Sequence, residues 1–226
     1  KGTQLFSEPL SNRATVAAAQ SQLHDRIHYR IRDITGTTLD LSALSLSALP
    51  PDFVEQVLSV PLGPTVATIN LASNSFSTIP AEILDIPSLR AINFTGNKLG
   101  AGAGAGQEIM SLANMPHISS IDISKNDISC DLLRQMVTGS CDPRLCNLTE
   151  VVANNNPLRS IPGELVWHRG LRTVRLSYCL LTSLDEIDFT AIPSLLNLDV
   201  SNNKIARLTA STFGANSHAY LSVENT

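Results

Sequence analysis

Between Val66 and Leu99 the chain says the same thing twice, and that constrains its fold more than any local propensity. Val66, Ile69, Leu71, Asn74 and Phe76 return 23 residues later as Leu89, Ile92, Phe94, Asn97 and Leu99. A unit this short cannot bury its apolar side alone, so it must stack on copies of itself. Further copies follow. They are Ile118, Ile121, Ile123, Asn126, Ile128; then Leu148, Val151, Ala153, Asn156, Leu158; then Leu171, Val174, Leu176, Cys179, Leu181; then Leu195, Leu198, Val200, Asn203, Ile205. An earlier copy opens at Gly36 with Leu39, Leu41, Leu44 and Leu46, where Leu44 stands in place of Asn. A last one starts at His218 with Leu221 and Val223 and reaches Thr226 where the Asn is due, so the sequence reads as a fragment that stops inside a repeat. Repeats therefore start near residues 36, 66, 89, 118, 148, 171, 195 and 218.

The pattern LxxLxLxx(N/C)xL, at this period, is identified as that of the leucine-rich repeat. It predicts an α/β solenoid, a curved right-handed horseshoe with a parallel β-sheet on its concave side. Each xxLxLxx segment alternates strictly, as a short strand with every second residue facing in. Asn74, Asn97, Asn126, Asn156 and Asn203, with Cys179 in the same position, are predicted to form a buried ladder that satisfies backbone groups where the chain leaves each strand. Repeat lengths differ. The second and fifth carry Ile79-Pro80 and Ile161-Pro162, and Pro disfavours helix at the residue before it, so these convex sides are predicted as extended or 3₁₀ turns. The longer first, third and fourth repeats have room for helices at Asp52–Val60, Gln107–Met115 and Asp131–Val137.

Ahead of the array, residues 1–13 lack periodicity and read as a linker or arm. Residues 14–35 place Val16, Leu23, Ile27, Ile31 and Ile34 on one side of a helix, with Asn12 or Thr15 as candidate caps and Gly36 as a stop. Such a helix would cover the apolar end of the first repeat.

The run from Thr37 to Val54 (TTLDLSALSLSALPPDFV), followed by Val66 to Pro80 (VATINLASNSFSTIP), resembles the C-terminal array of the intracellular leucine-rich repeat-containing protein 40 family. Lys1-Gly2-Thr3 is similar to the tripeptide that opens a helix behind a preceding array in those proteins. The resemblance implies a cytoplasmic protein with further repeats or domains upstream and downstream, and no catalytic residues. The Gly-Ala insert at 100–106 and the Cys-bearing insert at 130–146 depart from it.

Signals for chemistry are weak. The run Gly100 to Gly106 is followed by Gln107 and Glu108, without the Lys-Ser/Thr of a phosphate loop, and reads as a connection. His24-Asp25-Arg26-Ile27-His28 has the His spacing of a zinc protease but not its Glu, and no third ligand is placed. Cys130, Cys141 and Cys146 form no C-x-x-C, so reduced thiols are expected, with a Cys141–Cys146 bridge left open. Asn93-Phe94-Thr95 and Asn147-Leu148-Thr149 match the glycosylation triplet by chance or, in an extracellular protein, by use. A net charge of −4 and a pI near 5.7 argue against nucleic acid as the main ligand, and no apolar run is long enough for membrane insertion. No catalytic, cofactor or metal site is expected.

Aligning the repeats writes the concave surface as columns. The centre one reads Asp40, Asn70, Asn93, Asp122, Val152, Arg175, Asp199, Ser222. Most of the surface is small and polar. Hot-spot residue types gather at Arg172, Arg175 and Tyr178, beside Asp122, Glu150, Asn155 and Asp199. Two readings stand: a protein-binding patch, or a Glu150/Arg175/Asp199 cluster that neutralises itself. The function expected is a non-catalytic protein-protein interaction scaffold whose partner is another protein. An extracellular recognition ectodomain and a regulatory repeat domain of a larger enzyme are the alternatives.

Overall fold

The computed structural model describes residues 10–101, 117–138, 147–185, 187–207 and 220–224, with side chains from residue 21 onward. The Gln107–Met115 helix and the Cys141–Cys146 pairing lie outside the described residues. Eight three-residue strands form one open parallel sheet in sequence order: β1 (Thr38–Asp40), β2 (Thr68–Asn70), β3 (Ala91–Asn93), β4 (Ser120–Asp122), β5 (Glu150–Val152), β6 (Thr173–Arg175), β7 (Asn197–Asp199) and β8 (Tyr220–Ser222). The register is that of the repeat alignment, with Leu39, Ile69, Ile92, Ile121, Val151, Val174, Leu198 and Leu221 paired in line. Strictly sequential parallel strands, each returning over the same side, make a leucine-rich-repeat solenoid.

Alternation explains the layer beneath. Leu39, Leu41, Ile69, Leu71, Phe94, Ile121, Ile123, Val151, Ala153, Val174, Leu176, Leu198 and Val200 are fully buried behind the sheet. Phe76 of the second turn and Phe94 of the third meet edge to face, ring centres 5.8 Å apart. The opposite wall varies with repeat length. The long first repeat carries α2 (Phe53–Ser59) and the long fourth carries α3 (Cys130–Thr138). The shorter second and fifth repeats have 3₁₀ turns at Ala81–Asp85 and Gly163–Trp167, each entered from a proline with extended backbone, Pro80 and Pro162.

The leading helix departs from expectation at both ends. α1 spans Leu10–Arg32, so it starts four residues before Ala14, inside the expected arm, and stops before residue 35. No Pro or Gly interrupts residues 10–32, so nothing in the covalent chain delays its start. Gly36 is not its stop. The helix closes where the Asp33 N–H reaches the Tyr29 carbonyl at 3.0 Å, and Gly36 (φ 68°) instead turns the chain between Thr35 and Thr38, which bridge. Ile27, Ile31 and Ile34 are buried against the first repeat, and an Arg30–Asp40 ion pair of 3.8 Å ties α1 to β1.

Candidate protein-interaction face

The strands are positioned by what happens just past them. Each ladder Asn is buried and speaks to two repeats at once. Asn126 donates to the carbonyls of Phe94 (3.0 Å) and Ile123 (2.9 Å), and its Oδ1 accepts the Leu99 N–H at 2.9 Å. Asn74, Asn97, Asn156 and Asn203 do the same one repeat at a time, and Asn74 also takes the N–H of Leu44, whose own side chain has nothing to offer. Cys179 supplies only a thiol, which donates to the Ala153 carbonyl at 3.2 Å. Burial pushes that thiol up to about 11, so it stays protonated at neutral pH. With no oxygen at 179, the Leu158 N–H loses the partner that Leu46, Phe76, Leu99, Ile128 and Leu181 have, and turns back onto the Asn156 carbonyl at 2.9 Å. Pro157, the residue between, holds the φ such a tight turn requires.

The concave face has its own device. In five repeats the centre-column Asp or Asn folds over to accept the N–H two residues on: Ser42 to Asp40 (3.0 Å), Ala72 to Asn70 (3.1 Å), Thr95 to Asn93 (2.8 Å), Ser124 to Asp122 (2.9 Å) and Ser201 to Asp199 (3.0 Å). These are Asx turns that shape the strand exit. Hydrogen bonds from the Ser42 side chain and backbone also hold the Asp40 carboxyl below its usual range, against a partial desolvation. The device fails in two adjacent repeats, where Val152 and Arg175 occupy the column and the Ser177 N–H is caught instead by Asn154 of the neighbouring repeat at 2.8 Å.

The predicted patch is therefore redistributed. Arg175 pairs with Glu150 (Nη1 to Oε1, 3.3 Å), and the other Glu150 oxygen accepts from the Ser120 hydroxyl at 3.0 Å. Asp199 lies beside Arg175 in register but spends an oxygen on Ser201, so the expected three-member charge cluster is a pair. Asp122 is likewise engaged with its own turn. Arg172 precedes β6 at the strand-entry end and is exposed, with no ion pair among the described residues. Asn155 and Tyr178 sit past the strands at the exit end, both at positive φ (56° and 57°). Six residues of extended chain cover roughly 20 Å, so Arg172 and Tyr178 belong to opposite margins rather than to one cluster. Neither Asn154 nor Val152 is a hot-spot residue type. Their signal was the break in the Asp/Asn column.

Among the described residues no group of three His, Cys, Asp or Glu side chains could hold a metal ion, and no helix is long and apolar enough to cross a membrane.

No protein-family model matches the chain. Among curated proteins it is similar to the probable inactive serine/threonine-protein kinase roco10 of Dictyostelium discoideum, 29% identical over 137 residues, which is 61% of this chain and 5% of that protein. Among solved structures it is similar to human 5T4, the trophoblast glycoprotein (TM-score 0.59, 16% identity, 84% of this chain and 76% of that one). A leucine-rich-repeat protein of Leptospira interrogans follows (TM-score 0.54, 18% identity, 84% of this chain and 49% of that one). The leucine-rich-repeat domain of a Shigella effector aligns similarly (TM-score 0.53, 17% identity, 88% of this chain and 78% of that one). At these identities the likeness is one of fold, and the fold is that of the leucine-rich-repeat proteins.

Proposed function

We propose that this chain is a non-catalytic protein-interaction module of the cytoplasm, reading another protein across the concave sheet of repeats five to seven. The observation that carries it is the break in the Asx-turn column. In the five repeats with Asp or Asn there, the centre residue serves its own backbone. At Arg175 that service is handed to Asn154, which leaves the Arg175 guanidinium to pair with Glu150 on a rigid sheet, next to Val152, whose apolar side chain is buried (8% exposed). The resemblance to the leucine-rich repeat-containing protein 40 array supports the same assignment.

A charge swap tests it. Glu150→Arg with Arg175→Glu keeps the pair and removes its direction. A pair that only neutralises itself leaves melting temperature and partners unchanged. A recognition element leaves the melt within a few degrees and removes the proteins that the wild-type chain retains from native extract. Retention of every partner by the folded swapped variant overturns the assignment of this face.

The roco10 match favours a second reading, in which the array regulates a larger chain. There, the swap changes the activity or assembly of the full-length protein rather than capture of a separate partner. An ectodomain role requires glycans at Asn93 or Asn147. Mass spectrometry of native protein with both asparagines bare excludes it.

A further inference from the structure

We propose that the strand-exit rim of repeats five to seven is a docking ridge for an extended acidic polypeptide segment carrying a large apolar side chain. This rests on the interaction-module reading and adds where a partner seats and what it is made of.

The backbone of the rim repeats. The residue before each ladder position is left-handed: Ala43, Ser73, Gly96, Lys125, Asn155, Tyr178 and Asn202, with φ between 55° and 68°. Repeat one has a second such residue two positions on, Ser45 (φ 59°), and repeat six copies that path with Leu180 (φ 59°). One path is thus built with Ala and Ser in the first repeat and with Tyr and Leu in the sixth. Large L-residues are disfavoured in this conformation, so the path itself does not ask for them. Packing does not ask for them either. Tyr178 is 55% and Leu180 42% exposed, and the Tyr178 hydroxyl has no partner among the described residues. Strand spacing sets Tyr178 between Asn155 and Asn202, and Leu180 between Pro157 and Lys204. Pro157, Leu180 and Tyr178 form one apolar ridge held by three constrained backbone positions.

The charge beside the ridge identifies its occupant. Along the rim stand Lys98, Lys125, Arg159 and Lys204 against Asp127 and Glu224, on a chain whose net charge is −4. None of the four cations makes an ion pair among the described residues. An exposed apolar ridge flanked by free cations fits acidic side chains spaced around a Leu, Phe or Trp. A nucleic acid would carry its negative charge continuously past Asp122, Glu150 and Asp199 on the adjoining sheet.

The test pans phage-displayed random dodecapeptides on the 226-residue protein and measures resynthesised fluorescent peptides by anisotropy. Selected peptides are expected to carry Asp or Glu around a large apolar residue. Tyr178→Asn with Leu180→Ser, residues found at equivalent positions of other repeats, should weaken them roughly tenfold or more at unchanged melting temperature. Arg159→Ala with Lys204→Ala should weaken them and flatten their salt dependence. The Glu150/Arg175 swap should leave so short a ligand within about twofold. Peptides without acidic residues, no selected peptide at all, or tighter binding of a twelve-nucleotide oligouridylate overturns the proposal. Peptides abolished by the swap and indifferent to the rim variants overturn it while leaving the interaction-module reading standing.

Discussion

A single buried amide joins neighbouring turns of this solenoid at every described rung but that of Cys179, and its worth follows from what it leaves behind. Removing the Asn126 side chain strands the Leu99 N–H in a site that is 7% exposed and takes one of two amide donors from each of the Phe94 and Ile123 carbonyls, which keep Asn97 and Asn156. Asn126→Ala should cost at least about 1–3 kcal/mol, read as a shift in urea midpoint at constant slope. Cys179→Ala removes one weak S–H donor, because Pro157 and the Asn156 carbonyl already serve the Leu158 N–H. Its cost should stay below about 1.5 kcal/mol. Equal losses from the two variants would remove the Asn oxygen from the explanation. The Asn positions were legible in the sequence because a recurrent Asn on an otherwise apolar stripe has to be answering a backbone demand. The local turn at Leu158 was not legible. It arises only because two departures, Cys179 in one repeat and Pro157 in the one before, meet across the stack.

Elements on the convex side are held by a few specific contacts, and one of them titrates. α3 packs on the 3₁₀ turn Gly163–Trp167 through Leu132, Leu133, Met136 and Val137, with an Arg134–Glu164 ion pair of 3.2 Å at the margin. Beneath it the His168 Nε2 lies 2.9 Å from the Val137 carbonyl, and Nδ1 is buried without a partner among the described residues. Burial lowers the His168 pKa, against the raising effect of that hydrogen bond. An unfolded chain takes the proton near pH 6.5 and the folded one only below that. Between those values the unfolded state binds more protons, so stability should fall as pH drops from about 6.5 and be flat above it. His168→Leu should remove that segment of slope from thermal melts between about pH 5 and 7, and an unchanged slope would exclude His168 as its source. The two glycine turns differ in the same way that isolated and packed features do. Gly36 (φ 68°) has open space where a Cβ would go, so Gly36→Ala should cost about 1 kcal/mol for conformation alone. Gly100 (φ 85°) lies against the Asp127 carbonyl, where a Cβ would overlap it, so Gly100→Ala should melt well below Gly36→Ala. Composition made the Gly100 run look like a free connection. Its first glycine is a packing residue, a fact set by the next repeat rather than by its own neighbours.

Across the whole molecule the core is continuous from Ile27 to Ile205, and each turn touches chiefly the turn before and after. That is why the architecture was legible: period, strand register and ladder all follow from one requirement, that every repeat bury its apolar side on a neighbour. The candidate face was less so. Columns drawn from alignment give the correct neighbours across strands but say nothing about the path past them, so Arg172, Arg175 and Tyr178 looked like one patch. Left-handed backbone at Tyr178 and Leu180 has no sequence signature when the residues are not Gly or Asn. One-dimensional packing also carries a dynamic consequence. Among the described residues the end strands β1 and β8 bond on one side only; α1 packs on β1, whereas at β8 Leu221 and Val223 are partly buried where Leu198 and Val200 are fully so. Local opening should therefore be easiest at β8 and hardest in the middle. In native-state hydrogen exchange of the 226-residue chain, amides of Ile121, Val151 and Val174 should exchange only with global unfolding, and those of β8 several orders of magnitude sooner. Asn126→Ala should lower the protection of Ile92 and Ile121 together, since both flank the lost rung. Uniform protection from β4 to β8 would mean that the array opens as one block, and that the nearest-neighbour account of its stability is wrong.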